Sequence, residues 1–176
     1  ISGALRDVFK YDTIVAGSPT YNANIFSPVE TFMKSLSARM IKKENLEPPE
    51  YDIKNEALMP LLKKEAKAFF HCHRADDICT AIRISKEYNL DCVIIHGTEG
   101  HLIPVIIAKA GVPVICGPVI CDRCKPEMKG LDIKNAAVMS NEGVKLAICT
   151  DHPVIPIQYL PISAQTSCKG GLEYIK

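Results

Sequence analysis

The apolar residues of this chain fall into short blocks of two alternating kinds. Asp12-Thr-Ile-Val-Ala-Gly17 is a continuous apolar run with the length of a buried strand. Ser27 then stands as an N-cap with Pro28 at the first helical position. Val29, Phe32, Met33, Leu36 and Met40 recur at helical spacing and define one apolar face. This strand–helix unit fades into the charged stretch 42–50, broken by Pro48-Pro49, which marks the best boundary in the chain. Beyond it, a short helix is predicted near 56–64, followed by strands near 68–73, 92–96, 112–116 and 146–150. Between the first two strands Ala75, Ile78, Cys79 and Ile82 form a helical stripe, with Asp76 and Asp77 favourably placed at its N-terminal end. Leu102, Ile103, Ile106, Ile107 and Ala110 form the next stripe, stopped by Gly111, and a third helix runs over 133–142 to Gly143. Strands alternating with helices of this length predict an α/β fold with parallel strands and right-handed crossovers. From Pro153 onward the pattern is proline-rich and weakly periodic, and predicts no element.

The predicted organisation is therefore a βα unit over 1–44, a charged proline-containing linker over 45–55, a βα array over 56–162 and a tail over 163–176. With 176 residues the chain has room for one ordinary domain or two small pieces. A net charge of +1 gives no electrostatic footprint for nucleic acid or an anionic membrane. No apolar run approaches the ~18 residues of a membrane span. Ile1-Ser-Gly-Ala-Leu-Arg-Asp7 does not have the form of a secretory signal, so the expected location is the cytoplasm. The chain reads as a fragment, a processed chain or an engineered one. Cys72, Cys92, Cys116 and Cys149 fall in or beside strand cores, the placement of reduced, buried thiols. Cys121 and Cys124 have C-x-x-C spacing, but a lone pair without a second such pair reads as incidental loop thiols rather than a zinc or redox site.

The candidate chemistry lies at the strand ends. Residues two apart on a strand share a face, so His71 and His73 can both face the mouth while Cys72 turns away. His96 ends the next strand and Asp151 ends the last. All five histidines, His71, His73, His96, His101 and His152, lie at or just after predicted strand ends. A single histidine is ordinarily structural. Five at one predicted edge, joined by an aspartate, instead suit a divalent metal such as zinc.

These residues resemble a known family. His71-Cys-His-Arg-Ala-Asp-Asp-Ile78, Val-Ile-Ile-His96-Gly-Thr-Glu-Gly-His-Leu-Ile103 and Ala-Ile-Cys-Thr-Asp151-His-Pro-Val154, in this order and at these distances, resemble the amidohydrolase superfamily, and its imidazolonepropionase-related branch in particular. The likeness spans about 52–162 and corresponds to strands five to eight, half of a TIM-like barrel. It implies a metal-dependent hydrolase acting on a non-peptide C–N bond of a small cyclic amide. Zinc or iron would be held by His71, His96 and Asp151, with Asp151 also the catalytic base. His73, Arg74, Glu99, His101 and His152 would bind substrate. An ion pair with Asp77 is the competing use of Arg74. The chain departs from the family in having no His-x-His pair upstream of His71 and no clear counterpart of the strand-four lysine.

Residues 1–44 resemble something else. Asp-Val-Phe-Lys-Tyr-Asp-Thr-Ile-Val-Ala-Gly-Ser18-Pro-Thr-Tyr-Asn22 and Ile-Phe-Ser-Pro-Val-Glu-Thr-Phe-Met33 resemble the flavodoxin-like domain of flavodiiron proteins. That resemblance implies Ser18, Thr20, Tyr21 and Asn22 as FMN contacts. One loop cannot cradle both a phosphate and a ring, so FMN binding by this chain alone is not expected. The fold class expected overall is α/β, half of a TIM-like barrel preceded by one flavodoxin-like βα unit. Two rivals to the hydrolase stand beside it: a non-catalytic chimeric or truncated scaffold that dimerises through its open edges, and a flavin-binding electron carrier.

Overall fold

The alternation of strands and helices resolves into one parallel sheet. The computed structural model describes residues 13–16, 20, 21, 24, 25, 53–123 and 125–173. Its strands are β1 (Thr13–Ala16), β2 (Thr20–Tyr21), β3 (Asn24–Ile25), β4 (Lys67–Cys72), β5 (Cys92–His96), β6 (Val114–Cys116) and β7 (Leu146–Ile148). Five of them form a sheet in the order β1-β4-β5-β6-β7, and β2 pairs with β3 in a small antiparallel ribbon. The sheet's four pairings are all parallel. The helices are α1 (Ile53–Glu56), α2 (Met59–Leu62), α3 (Ala75–Glu87), α4 (Pro104–Ala110), α5 (Asn135–Asn141) and α6 (Leu160–Lys169).

The register matters most for function. Cys72 lies opposite His96, and His96 opposite Cys116, so the carboxyl ends of β4, β5 and β6 are level. The loops that follow them therefore open on one edge, where βα folds place their chemistry. Beneath that edge Cys72, Ile94, Val114 and Cys116 pack with Ile78 and Ile82 of α3, Ile107 of α4 and Met139 of α5. Ile78, Ile94, Ile107 and Met139 are fully buried. Each contributes about 1.5–3 kcal/mol by leaving water. A second cluster, around Leu61, Leu62, Ile84, Tyr88 and Leu90, closes the opposite end of α3.

The differences from the predicted elements have local causes. The helix predicted near 56–64 is two one-turn pieces, α1 and α2, with Pro60 at the start of the second. Leu102 lies in a 3-10 turn, and α4 begins only at Pro104, whose missing N–H suits a first helical turn. β6 starts after Pro113, which has no N–H to give a ladder. α6 has no predicted counterpart, because its buried positions include serines. Ser163 and Ser167 are fully buried and return their hydroxyls to the carbonyls of Tyr159 and Ser163, at 3.2 and 3.1 Å. A hydrophobic pattern does not register such a face. The predicted helix that follows Ser27 lies outside the described residues. Among the described residues no helix is long and apolar enough to cross a membrane.

Candidate metal centre

Three imidazoles meet at the level strand ends. His71 is the penultimate residue of β4, His73 follows the strand, and His96 closes β5. The ring centroids of His71 and His96 are 4.3 Å apart, and His73 stacks on His96 at 4.6 Å with 10° between planes. His71 Nε2 and His73 Nε2 are 3.1 Å apart. One ring nitrogen from each of the three residues lies within 4.8 Å of the others.

The backbone explains why His96 joins. By strict alternation it shares a face with its register partners Cys72 and Cys116, which point into the helix-covered core. His96 instead has φ +75°. This left-handed turn brings its ring back to His71, at a local cost of about 1–2 kcal/mol. Gly97 continues the turn at φ +52°, where a Cβ would sit 2.8 Å from Val114 Cγ1. The neighbouring loops hold the turn in place. Gly97 N–H donates to the Cys72 carbonyl at 2.9 Å, and Asn135 Nδ2 donates to the Gly97 carbonyl at 2.9 Å. His96 Nδ1 donates to the Gly117 carbonyl at 2.6 Å. A carbonyl only accepts, so Nδ1 carries a proton, and in the neutral tautomer this fixes, Nε2 holds the lone pair. Gly117 has no substitute, since at φ +140° any Cβ would collide with the Cys149 carbonyl.

Electrostatics favour the neutral rings of His71 and His73. Burial, then His96 and His71, push His73 down to about 4. Burial also lowers His71, followed by His96 and Lys125, while Asp151 and Glu127 oppose the shift. Neutral imidazole is the form that binds a metal. The donor set therefore fits a divalent ion in atom type and convergence, and His71 and His73 also in favoured protonation state. Burial pushes Cys72, Cys92 and Cys116 up to about 12, so these thiols stay protonated.

The structure distributes the other predicted residues around this centre. Asp151 follows β7 with φ +54°, is exposed, lies outside the close three-histidine group and acts on His71 through its charge. Arg74 is engaged in a two-point contact with Asp76, at 2.9 and 3.2 Å, rather than with Asp77. Glu99 Oε2 accepts from the Ala75 N–H at 2.9 Å and so caps α3. His101 is tied by its N–H and ring to Asn135 Oδ1, at 2.8 and 3.2 Å. His152 is exposed beside Asp151. Ser18 and Asn22 lie outside the described residues, as does Cys124. Thr20 and Tyr21 form the two residues of β2.

Four residues that sequence reasoning passed over support the centre: Thr98, Gly117, Lys125 and Asn135. Thr98 Oγ1 is 2.8 Å from His73 Nδ1. Asn135, 3% exposed, also donates to Cys116 Sγ at 3.3 Å. An asparagine within the helix predicted over 133–142 is the one signal the sequence offers. Behind His96, Thr98 and Asn135 line a small cavity. It shares Val119, Leu131, Asp132 and Ile133 with an outer groove of about 640 Å³ that Arg123 also lines.

No family model matches the chain, and no curated protein matches it. Among solved structures, an amidohydrolase from Thermotoga maritima MSB8 is similar, with a TM-score of 0.68 and 35% sequence identity. The match covers 98% of this chain and 40% of that one, so the chain spans about two fifths of that protein's length. The matched stretch is not confined to residues from 56 onward. The likeness supports the amidohydrolase superfamily, and the parallel α/β sheet corresponds to part of a TIM-like barrel.

Proposed function

We propose that this chain carries part of the metal-binding mouth of an amidohydrolase, of the imidazolonepropionase-related type, that cleaves the C–N bond of a small cyclic amide. The observation that carries the reading is the convergence of three imidazoles at the carboxyl ends of adjacent parallel strands. The 35%-identical amidohydrolase structure supports the same reading. His71 and His96 are the first two ligands, with zinc or iron as the ion. When bound, the metal supplies Lewis-acid activation of water and of the carbonyl to be attacked.

The chain's own residues do the rest. Gly117 keeps His96 in one tautomer through its carbonyl. Asp151, exposed at the end of β7 and near enough to raise the basicity of His71, accepts the proton from the attacking water. The flanking Arg74 and His152 are exposed at the same edge and meet the substrate's polar groups. The working protein is cytoplasmic, takes a small-molecule substrate, and divides at 45–55 into a front βα unit and the hydrolase-like part. A scaffold without catalysis that closes its edges by self-association is the second reading. It draws on β1 and β7 ending the described sheet.

Elemental analysis of tag-free protein beside His71→Ala and His96→Ala tests the first reading. About one zinc or iron per chain, lost in both variants, supports it. Metal-free protein that takes up neither ion contradicts it.

A further inference from the structure

We propose that Thr98 is a positioning residue that makes His73 the third imidazole donor of the centre. The inference rests on the metal reading of the cluster and goes beyond it. It moves His73 from substrate contact to ligand and gives a role to a hydroxyl with no chemistry of its own.

Thr98 and His73 are 4% and 6% exposed. The two residues on the loop after β5 hold His73 from two sides. Thr98 Oγ1 takes the ring at Nδ1, at 2.8 Å, and the Glu99 N–H takes the His73 carbonyl at 2.9 Å. Glu99 then reaches on to the Ala75 N–H at 2.9 Å, fixing the start of α3 two residues further along. The loop after β5 thus sets the loop after β4. With Nδ1 occupied, the nitrogen left to His73 is Nε2, and it lies 3.1 Å from His71 Nε2.

Two nitrogens on one tetrahedral zinc, each at about 2.0–2.1 Å, are about 3.3 Å apart. The observed separation is close to that. His96 reaches the same state by a different device. The Gly117 carbonyl dictates its tautomer outright. A threonine hydroxyl both donates and accepts, so it serves His73 with Nδ1 either protonated or bare. When His73 Nε2 gives its lone pair to a cation, Nδ1 carries the proton and Thr98 Oγ1 accepts it. Hydrogen bonds of this outer kind fix ring orientation and ligand basicity, and their loss typically costs 10–100-fold in metal affinity.

The test uses the full chain with Co²⁺ as a visible probe and Zn²⁺ as its competitor. Thr98→Val keeps the side-chain shape and removes the hydroxyl, while Thr98→Ser keeps the hydroxyl. The expected result is a Co²⁺ spectrum of near-tetrahedral intensity in the parent. Zn²⁺ affinity should fall about 10–100-fold in Thr98→Val with unchanged far-ultraviolet dichroism, and return to within about threefold in Thr98→Ser. Equal affinity in the parent and Thr98→Val overturns the role of Thr98 and leaves the metal reading standing. A parent that binds neither ion overturns both. Long-range ¹H–¹⁵N spectra of the parent need no variant to fold. On Zn²⁺ addition His73 should show a protonated Nδ1 and a shifted Nε2, and an unchanged His73 overturns the proposal.

Discussion

The ends of β5 and β7 carry the same local device and differ in almost everything around it. At or just after the end of each strand stands a non-glycine residue of ligand type in the left-handed region, His96 at φ +75° and Asp151 at φ +54°. His96 is 3% exposed, and its turn is held by Gly117 directly and, through Gly97, by Cys72 and Asn135. Asp151 is exposed, and its backbone carbonyl accepts from the Val154 N–H at 2.8 Å within its own turn. The cause is position in the sheet. β5 lies between β4 and β6, whose loops supply partners, whereas β7 ends the described sheet. An interior strand end can fix a side chain as a ligand. An outer one leaves its side chain accessible, which suits a base that must meet water and substrate.

Breaking the locked side should have the largest effects. Gly117→Val forces a side chain into the Cys149 carbonyl and displaces the acceptor of His96. We expect a loss of about 4 kcal/mol in urea denaturation, the range reached only by severe core disruption. Next comes Asn135→Ala, which leaves the His101 N–H without its partner and takes from the Gly97 carbonyl one of its two donors, the Gly100 N–H remaining. It should cost about 1–3 kcal/mol in the same measurement, the penalty for one orphaned donor.

A pH series sharpens the comparison further. Folding lowers His73 to about 4 and also lowers His71, against an ordinary value of 6.5. As pH falls from about 6.5 toward 4, the unfolded chain therefore takes up protons that the folded chain refuses, and stability drops with the pH. In chelator-treated protein the denaturation midpoint should decline across that window, and His73→Gln should flatten the decline. Asp151→Ala, on the open side, should change stability by no more than about 0.5 kcal/mol. The slope of the pH series should survive in it. A large loss in Asp151→Ala would mean that the two strand ends are equally built in.

Much of this contrast was legible in the chain. Val-Ile-Ile before His96 and the stripes of Ile78, Ile82 and Ile107 announce parallel strands under helices, and β4, β5 and α3 appear close to their predicted places. That His71, His73 and His96 reach one edge of the sheet follows from the parallel βα order, but the ring of His96 joins the other two only through its left-handed turn. What determines the site's shape was not legible. The turn at His96 breaks the alternation that places side chains on faces. Gly117, Thr98 and Asn135 act through hydrogen bonds that reach across 21, 25 and 38 residues of chain. Such long-range pairs have no period. α6 was missed for a related reason, because serines fill positions where a pattern search expects apolar side chains.

The central claim is that His71, His73 and His96 ligate one divalent ion. Zinc K-edge absorption spectroscopy of the zinc-loaded chain tests it most directly. The account predicts three imidazole nitrogens at about 2.0–2.1 Å, with a fourth light atom and no sulfur. One imidazole or none in the first shell, or sulfur at about 2.3 Å, would contradict it.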